Sequence, residues 1–483
     1  MADLIDKDFI VNVGPGATFT GSGSYHTTPQ DIDDLFNKFK EKEVRKIALF
    51  FHGGLVGEED GLKRAREISP SLIAAGVSPI CFVWETAVLE VISGKIYNIS
   101  QTKLFNKTLK NLLKSISRRL PSDQITGRAY TGQGFSSVEI EAELSKPYPF
   151  ETYGNIPVLE GGRSANDLPP NIVLEKQLLI EFTAAVTSDY QFQQAIATTP
   201  LSTMDPTTNE IAGRNFLDSG FFISHLVKIA IRVIDRYLER RDHDFYPTVV
   251  EEILREFYIA DVGAGIWKLM KDKAEDMWKS NKGRNGDDRF VGRYFLERLT
   301  SYVNDNQGTT VDLIGHSAGS IAICHLLHYT QLVENPFKYR NIIFLAPACR
   351  TELFKKEIVD HQNRFEKIRI FTMSDVTECE DVMLEYVYTH SLLYLISGIL
   401  EDRGDSYDAY ILGMERHIAF KYPYNIADLE PINSYLYGAG QYRVSFSKTI
   451  DSTVEGMQTL AIKHGGFAME GKTLASIQFI LRQ

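Results

Sequence analysis

The stretch "TVDLIGHSAGSIAICHLLHYTQL", residues 310–332, decides how the rest of this chain is read. It opens with a short apolar run, Val311–Ile314, passes through Gly315-His316-Ser317-Ala318-Gly319, and continues into an apolar segment that reads as a helix. A G-x-S-x-G between a strand and a helix puts the serine on a sharp, strained turn, where only glycine or a very small residue fits two positions to either side. The amides at the start of the following helix then point at the place where negative charge would develop on a substrate. A chance G-x-S-x-G in a loop is the competing reading, and the strand-turn-helix setting argues against it.

Working outward, four more apolar runs share the same punctuation: "RKIALFFHGG" and "SPICFVWE" early in the chain, "NIIFLAPAC" and "KIRIFTMSD" after the serine. Continuous apolar runs separated by helical stretches predict parallel strands buried on both faces, hence an α/β fold with a doubly wound, mainly parallel sheet. From about residue 87 to about residue 300 the text changes to long helical segments such as "ISHLVKIAIRVIDRYLERR" and "PTVVEEILREFYIADV". The expected organisation is an N-terminal extension at 1–43, a core at 44–86 and 301–483, and a helical cap inserted at 87–300. Within the extension, "TTPQDIDDLFNKFKEK" predicts a helix capped by Thr28, with Pro29 in its first turn and Ile32, Leu35, Phe36 and Phe39 on one face. The glycine-rich "GPGATFTGSGSYH" lacks G-K-[ST] and reads as a loop, not a phosphate cradle.

A serine hydroxyl needs a base, and the base an orienting carboxylate, expected in the chain order serine, acid, histidine. Asp375 follows the strand "IRIFTM" and is the acid nearest a strand end, with Glu378, Glu380 and Asp381 as close rivals. His464, in "LAIKHGGF", is the last histidine of the chain and has Gly465 and Gly466 beside it. His390 and His417 lie between acid and terminus as rival bases. The earlier His52-Gly53-Gly54 ends the strand "IALFF", where Gly54 or Leu55 would give one oxyanion N–H and Ala318 the other, with His52 shaping the loop.

Taken together, "FFHGG", "GHSAG", the carboxylate after "IFTM" and the late "KHGGF" resemble the α/β-hydrolase superfamily, in its serine esterase and lipase branches, over residues 44–90 and 305–483. The phrases "FVWET", "MSD", "SLLYLISG" and "KHGGF" are similar to ones in uncharacterised bacterial hydrolases. The resemblance implies an eight-stranded sheet, a covalent acyl-enzyme intermediate, and neither metal nor cofactor. Two departures stand out: the insertion lies far upstream of the serine, and the acid loop carries several carboxylates.

The rest of the composition bounds partners. A formal charge of -11 disfavours a general nucleic-acid binder. Four scattered cysteines without C-x-x-C suit reduced thiols in the cytoplasm, and no apolar run reaches the length of a bilayer span. His325 and His328 have a spacing metals can use but no partner beside them, so no metal site is expected. Between Val91 and Ser122 there is no acid, and Lys103, Lys107, Lys110 and Lys114 form a stripe beside the apolar Phe105, Leu109, Leu112, Leu113, Ile116 and Leu120. Such a helix either lies on an anionic membrane, giving peripheral attachment at the inner membrane surface, or packs its apolar face inward and offers lysines to surplus acids. Lys228, Arg232 and Arg236 make a second, weaker stripe. The expected function is hydrolysis of a small-molecule or lipid ester. The alternatives are an amidase or peptidase with the same triad, or an inactive hydrolase-like scaffold that binds a partner or membrane.

Overall fold

A computed structural model describes residues 6–21, 23–54, 57–84, 88–120, 135–151, 171–201, 217–259, 263–280, 290–401 and 406–483. The chain divides into two units, one of Met1–Glu90, Ile266–Asp381 and Tyr410–Gln483, the other of Val91–Gly265 and Val382–Ala409. Among the described residues no helix is long and apolar enough to cross a membrane.

The first unit is an α/β sheet of seven parallel strands: β1 (Ile10–Val13), β2 (Lys46–Phe51), β3 (Ser78–Trp84), β4 (Thr310–His316), β5 (Tyr339–Leu345), β6 (Phe365–Met373) and β7 (Val444–Ser447). Their order is β1-β3-β2-β4-β5-β6-β7, which leaves the serine-bearing β4 at the centre. The five runs read from sequence are β2 to β6. β1 lies in the stretch taken for an extension, and β7 had no counterpart in the reading.

Side chains alternate between two apolar layers, which is why the central strands are uninterrupted apolar runs. On one side Phe50, Cys81, Ile314 and Phe371 pack on Leu62, Ile68 and Leu72 of the helix Glu58–Ala74 and on Ile477 and Leu481 of the helix Gly471–Arg482. On the other side Phe51 stacks on Phe82 at 4.7 Å, and Phe82 meets Trp278 at 5.6 Å and Phe295 at 5.0 Å. Phe295 belongs to the helix Val291–Asp305 and packs on Phe36 of the helix Pro29–Glu41. That last helix forms as read: Thr28 and Asp31 close a capping box, Pro29 sits in the first turn, and Ile32, Leu35, Phe36 and Phe39 are buried.

The second unit is helical. It takes in 91–265 of the expected insertion together with 382–409, whereas the helix Val291–Asp305 belongs with the sheet. In the helix Lys103–Ser117 the apolar face is spent inside this unit: Phe105, Leu109, Leu112, Leu113 and Ile116 are buried. Of its lysines, Lys107 pairs with Asp189, Lys110 with Glu141 at 2.5 Å, and Lys114 donates to Ser137 Oγ at 3.1 Å. The apolar face of this helix is thus packed inward.

The second basic stripe runs from the partly exposed Lys228 to the fully buried Arg236 and faces acids of the same unit. Arg236, in the helix Ser219–Leu238, has no exposed side-chain surface and pairs with Glu251 at 2.8 Å and Glu252 at 2.9 Å from the helix Phe245–Tyr258. Arg232 reaches Glu252 at 2.9 Å and Glu256 at 2.5 Å, and Lys228 reaches Glu256 at 3.1 Å. His243 and Tyr388 complete the shell around Glu251 at 2.8 Å and 2.7 Å. Burial pushes the Glu251 carboxyl up, but His243 and Arg236 outweigh it and hold it down at about 2. Gly398 is required here, because a Cβ at that position would lie 2.5 Å from Glu251 Cδ.

Candidate active site

At the end of β4 the chain turns sharply into the helix Gly319–Thr330, and Ser317 occupies the turn with φ +51°. A left-handed serine costs about 1–2 kcal/mol and persists only where its surroundings over-determine it. Here they do: Ser317 N–H donates to Leu345 O at 2.8 Å, and Ser317 O accepts from Ala348 N–H at 3.1 Å and Ser320 Oγ–H at 2.6 Å. Both flanking glycines are sterically required. A Cβ on Gly315 would lie 2.8 Å from Ile323 Cδ1, and one on Gly319 would lie 2.3 Å from Phe51 O.

His464 begins a short turn, His464–Gly466, and its Nε2 lies 2.8 Å from Ser317 Oγ, across 147 residues of sequence. Accepting Oγ–H at Nε2 puts the ring proton on Nδ1, which finds no hydrogen-bond partner among the described residues. Burial, reinforced by neighbouring His316 and Arg64, pushes the imidazole well below its ordinary range, so the ring is neutral at pH 7. A neutral imidazole in contact with a hydroxyl is the protonation state a general base requires.

The carboxylates are arranged differently from the expectation. Asp375 opens a short helix, Asp375–Glu380, capped by Ser374; its carboxylate faces Arg416 at 3.4 Å and its N–H donates to Glu415 at 2.9 Å. Glu378 is buried in the same turn and Glu380 is exposed. Asp381, at the end of that helix, is the acid that meets the base: its Oδ2 accepts the backbone N–H of His464 at 2.6 Å. Burial raises the Asp381 carboxyl, against the pull of that N–H and of Lys463. Of the rival bases, His390 Nδ1 lies 2.9 Å from Thr389 O in the helical unit, and His417 Nδ1 accepts from Ile411 N–H at 2.9 Å, so both hold backbone.

The register Phe51↔Gly315 brings the ends of β2 and β4 side by side, and the first His-Gly-Gly with them. A Cβ on Gly53 would lie 3.1 Å from Ser317 Cβ, and one on Gly54 would lie 2.8 Å from Ala318 Cβ. The backbone at Gly54 therefore passes against Ala318, which caps the helix after the serine. Leu55 lies outside the described residues. His52 shapes this loop: its Nδ1–H donates to Gly53 O at 2.6 Å and its Nε2 accepts from Trp84 N–H at 3.2 Å, and burial holds its pKa at about 4.

Two contacts at this site have no reading in the sequence. One is the backbone bond of Asp381, named only as a rival acid. The other is His316, whose Nε2–H donates to His464 O at 2.8 Å; its place inside the G-x-S-x-G, one residue before the serine, was the available signal. No protein-family model, no curated protein and no solved structure matches the chain.

Proposed function

We propose that the protein is a serine hydrolase of the α/β-hydrolase kind that cleaves a carboxylic ester through an acyl-enzyme. The observation that carries this reading is the 2.8 Å contact between His464 Nε2 and Ser317 Oγ, made by a neutral ring to a hydroxyl held on a strained turn. In this reading Ser317 Oγ attacks the acyl carbon and its proton passes to Nε2. The C–O bond to the alcohol then breaks as the imidazolium returns the proton to the leaving oxygen. Water, deprotonated by the same ring, releases the acid. The Ala318 N–H and the backbone at Gly54 face the developing oxyanion, and Asp381 in place of Asp375 supplies the negative charge near the imidazolium.

The partnerless Nδ1 of His464 favours a second reading, a hydrolase-like scaffold without turnover. Labelling with a fluorophosphonate separates them: wild type reacts at Ser317 and Ser317→Ala does not. An intact, folded wild type that stays unlabelled where a lipase control reacts would refute the enzyme. Profiling of short-acyl esters, lipid esters and amides on wild type against Ser317→Ala then assigns the leaving group.

A further inference from the structure

His464 sits in a turn that is followed by the core residues Phe467 and Ala468 but whose two glycines have open space beside them. A Cβ on Gly465 would come no nearer than 3.9 Å to any neighbour, and one on Gly466 no nearer than 4.0 Å. Within the turn Gly466 N–H donates to Lys463 O at 2.9 Å, and the backbone of His464 itself is fixed by two side chains, N–H to Asp381 Oδ2 at 2.6 Å and O from His316 Nε2–H at 2.8 Å. The His316 ring is 5.5 Å from the His464 ring, tilted by 34°. Its other nitrogen, Nδ1, is buried without a hydrogen-bond partner among the described residues and lies 3.1 Å from where a Gly53 Cβ would be. That fixes the tautomer, because the one ring proton must be on Nε2, where an acceptor waits.

We propose that His316 is a positioning residue that registers the base directly on the nucleophile. The inference rests on the hydrolase reading for its kinetic consequence. His316 is one residue from Ser317 at the end of the central strand, so any movement of the serine carries the donor with it, and the donor carries the carbonyl of His464. The peptide groups on both sides of the His464 Cα are then pinned, and only the side-chain torsions remain to bring Nε2 onto Oγ. Nδ1 faces no acceptor, and a second ring proton would go unpaired in a buried site. The ring therefore stays neutral, with its pKa held near 4 by burial, and keeps a single donor across the range in which His464 acts as a base.

The test compares wild type, His316→Phe and His316→Gln by two measurements on the full chain: the second-order rate of fluorophosphonate labelling at Ser317, and ¹⁵N imidazole NMR of His464. Phe keeps a ring without the donor, whereas the Gln amide N–H can reach the His464 carbonyl. The expected result is a labelling rate lowered on the order of 10- to 100-fold in His316→Phe, the loss typical of a reacting group displaced by a fraction of an ångström to one ångström, with most of the rate restored by Gln. In wild type at pH 7 the His464 ring is a single Nδ1–H tautomer, and in the Phe variant it averages between tautomers. If wild type is labelled and both variants are labelled equally fast, the positioning role is overturned and the hydrolase reading stands. If wild type is unlabelled but its His464 ring is ordered and becomes averaged in the Phe variant, the hydrolase reading falls and the positioning role stands. A folded Gln variant as slow as the Phe variant overturns the donor argument. Should the Phe variant fail to fold, His316→Met, which also lacks the donor, takes its place with the same expected and refuting outcomes.

Discussion

Lowering the pH from 7.5 to 5 should loosen the sheet unit before anything else in the chain. His52 and His316 are fully enclosed, and burial above all holds each at about 4, against 6.5 in the unfolded chain. For a base whose folded pKa is depressed, the unfolded state binds the proton first, so stability is complete above about 6.5 and drains away as the pH falls toward 4. At pH 5 the unfolded imidazole has gained a factor of about 30 in proton binding that the folded one has not, which is about 2 kcal/mol per histidine and about 4 kcal/mol for the two. His464 adds to the loss in the same direction. Against a typical domain stability of about 5–15 kcal/mol this is a large fraction. The chain carries its own reporter: its three tryptophans, Trp84, Trp267 and Trp278, are all buried within the sheet unit. Urea unfolding followed by tryptophan fluorescence at pH 7.5, 6 and 5 should show the midpoint falling steadily, and His316→Gln should remove about 2 kcal/mol of that loss. A midpoint that stays constant over this range, or a Gln variant with the full dependence, would refute the assignment of neutral, enclosed imidazoles.

Further outcomes follow from other contacts. Glu251 and Glu256 are held at about 2 by their cationic neighbours, so the helical unit loses stability only as the pH falls from about 4.5 toward 2. The far-ultraviolet signal should therefore keep a second, more acidic transition after the tryptophan signal has changed, and coincident transitions would contradict this. Arg236→Met should destabilise by about 3–5 kcal/mol, because it takes a fully buried cation from two buried carboxylates and leaves Glu251 to His243 and Tyr388 and Glu252 to Arg232, as measured by the thermal midpoint. Gly319→Ala places a methyl 2.3 Å from Phe51 O and should cost about 1–3 kcal/mol in urea unfolding, together with loss of labelling at Ser317. Asp381→Asn should slow that labelling more than Asp375→Asn does; the reverse ranking would return the acid's role to Asp375.

The fold was legible where one signal sufficed. Five strands announced themselves as apolar runs, and the G-x-S-x-G fixed which of them carries the serine. β1 stayed hidden because its four residues, IVNV, contain an asparagine, and Asn12 is tolerated inside only because its Nδ2 donates to Tyr25 O at 2.5 Å and Glu58 at 3.1 Å. Such partners are tertiary and leave no local mark. The second basic stripe shows the same limit: the sequence offers lipid or surplus acids as its partners, and which acids these are is decided on a different helix, by Glu251, Glu252 and Glu256. For the site, serine and base could be paired by chain order, whereas the acid could not. Nearness to the strand end favoured Asp375, yet Ser374 caps a helical turn there that points Asp375 at Arg416 and leaves the turn's last residue, Asp381, beside the base.

The two outermost strands of the sheet have a bearing on how the protein behaves at high concentration. β1 and β7 are each four residues long, whereas β4 has seven and β6 nine. An outer strand offers its unused N–H and C=O groups to any extended chain that drifts past, and a short one offers few. The long, strongly apolar strands, which would make the most adhesive templates, are all enclosed between neighbours. Intermolecular strand addition, the first step toward fibrils, therefore finds only brief footholds at the edges of this sheet among the described residues.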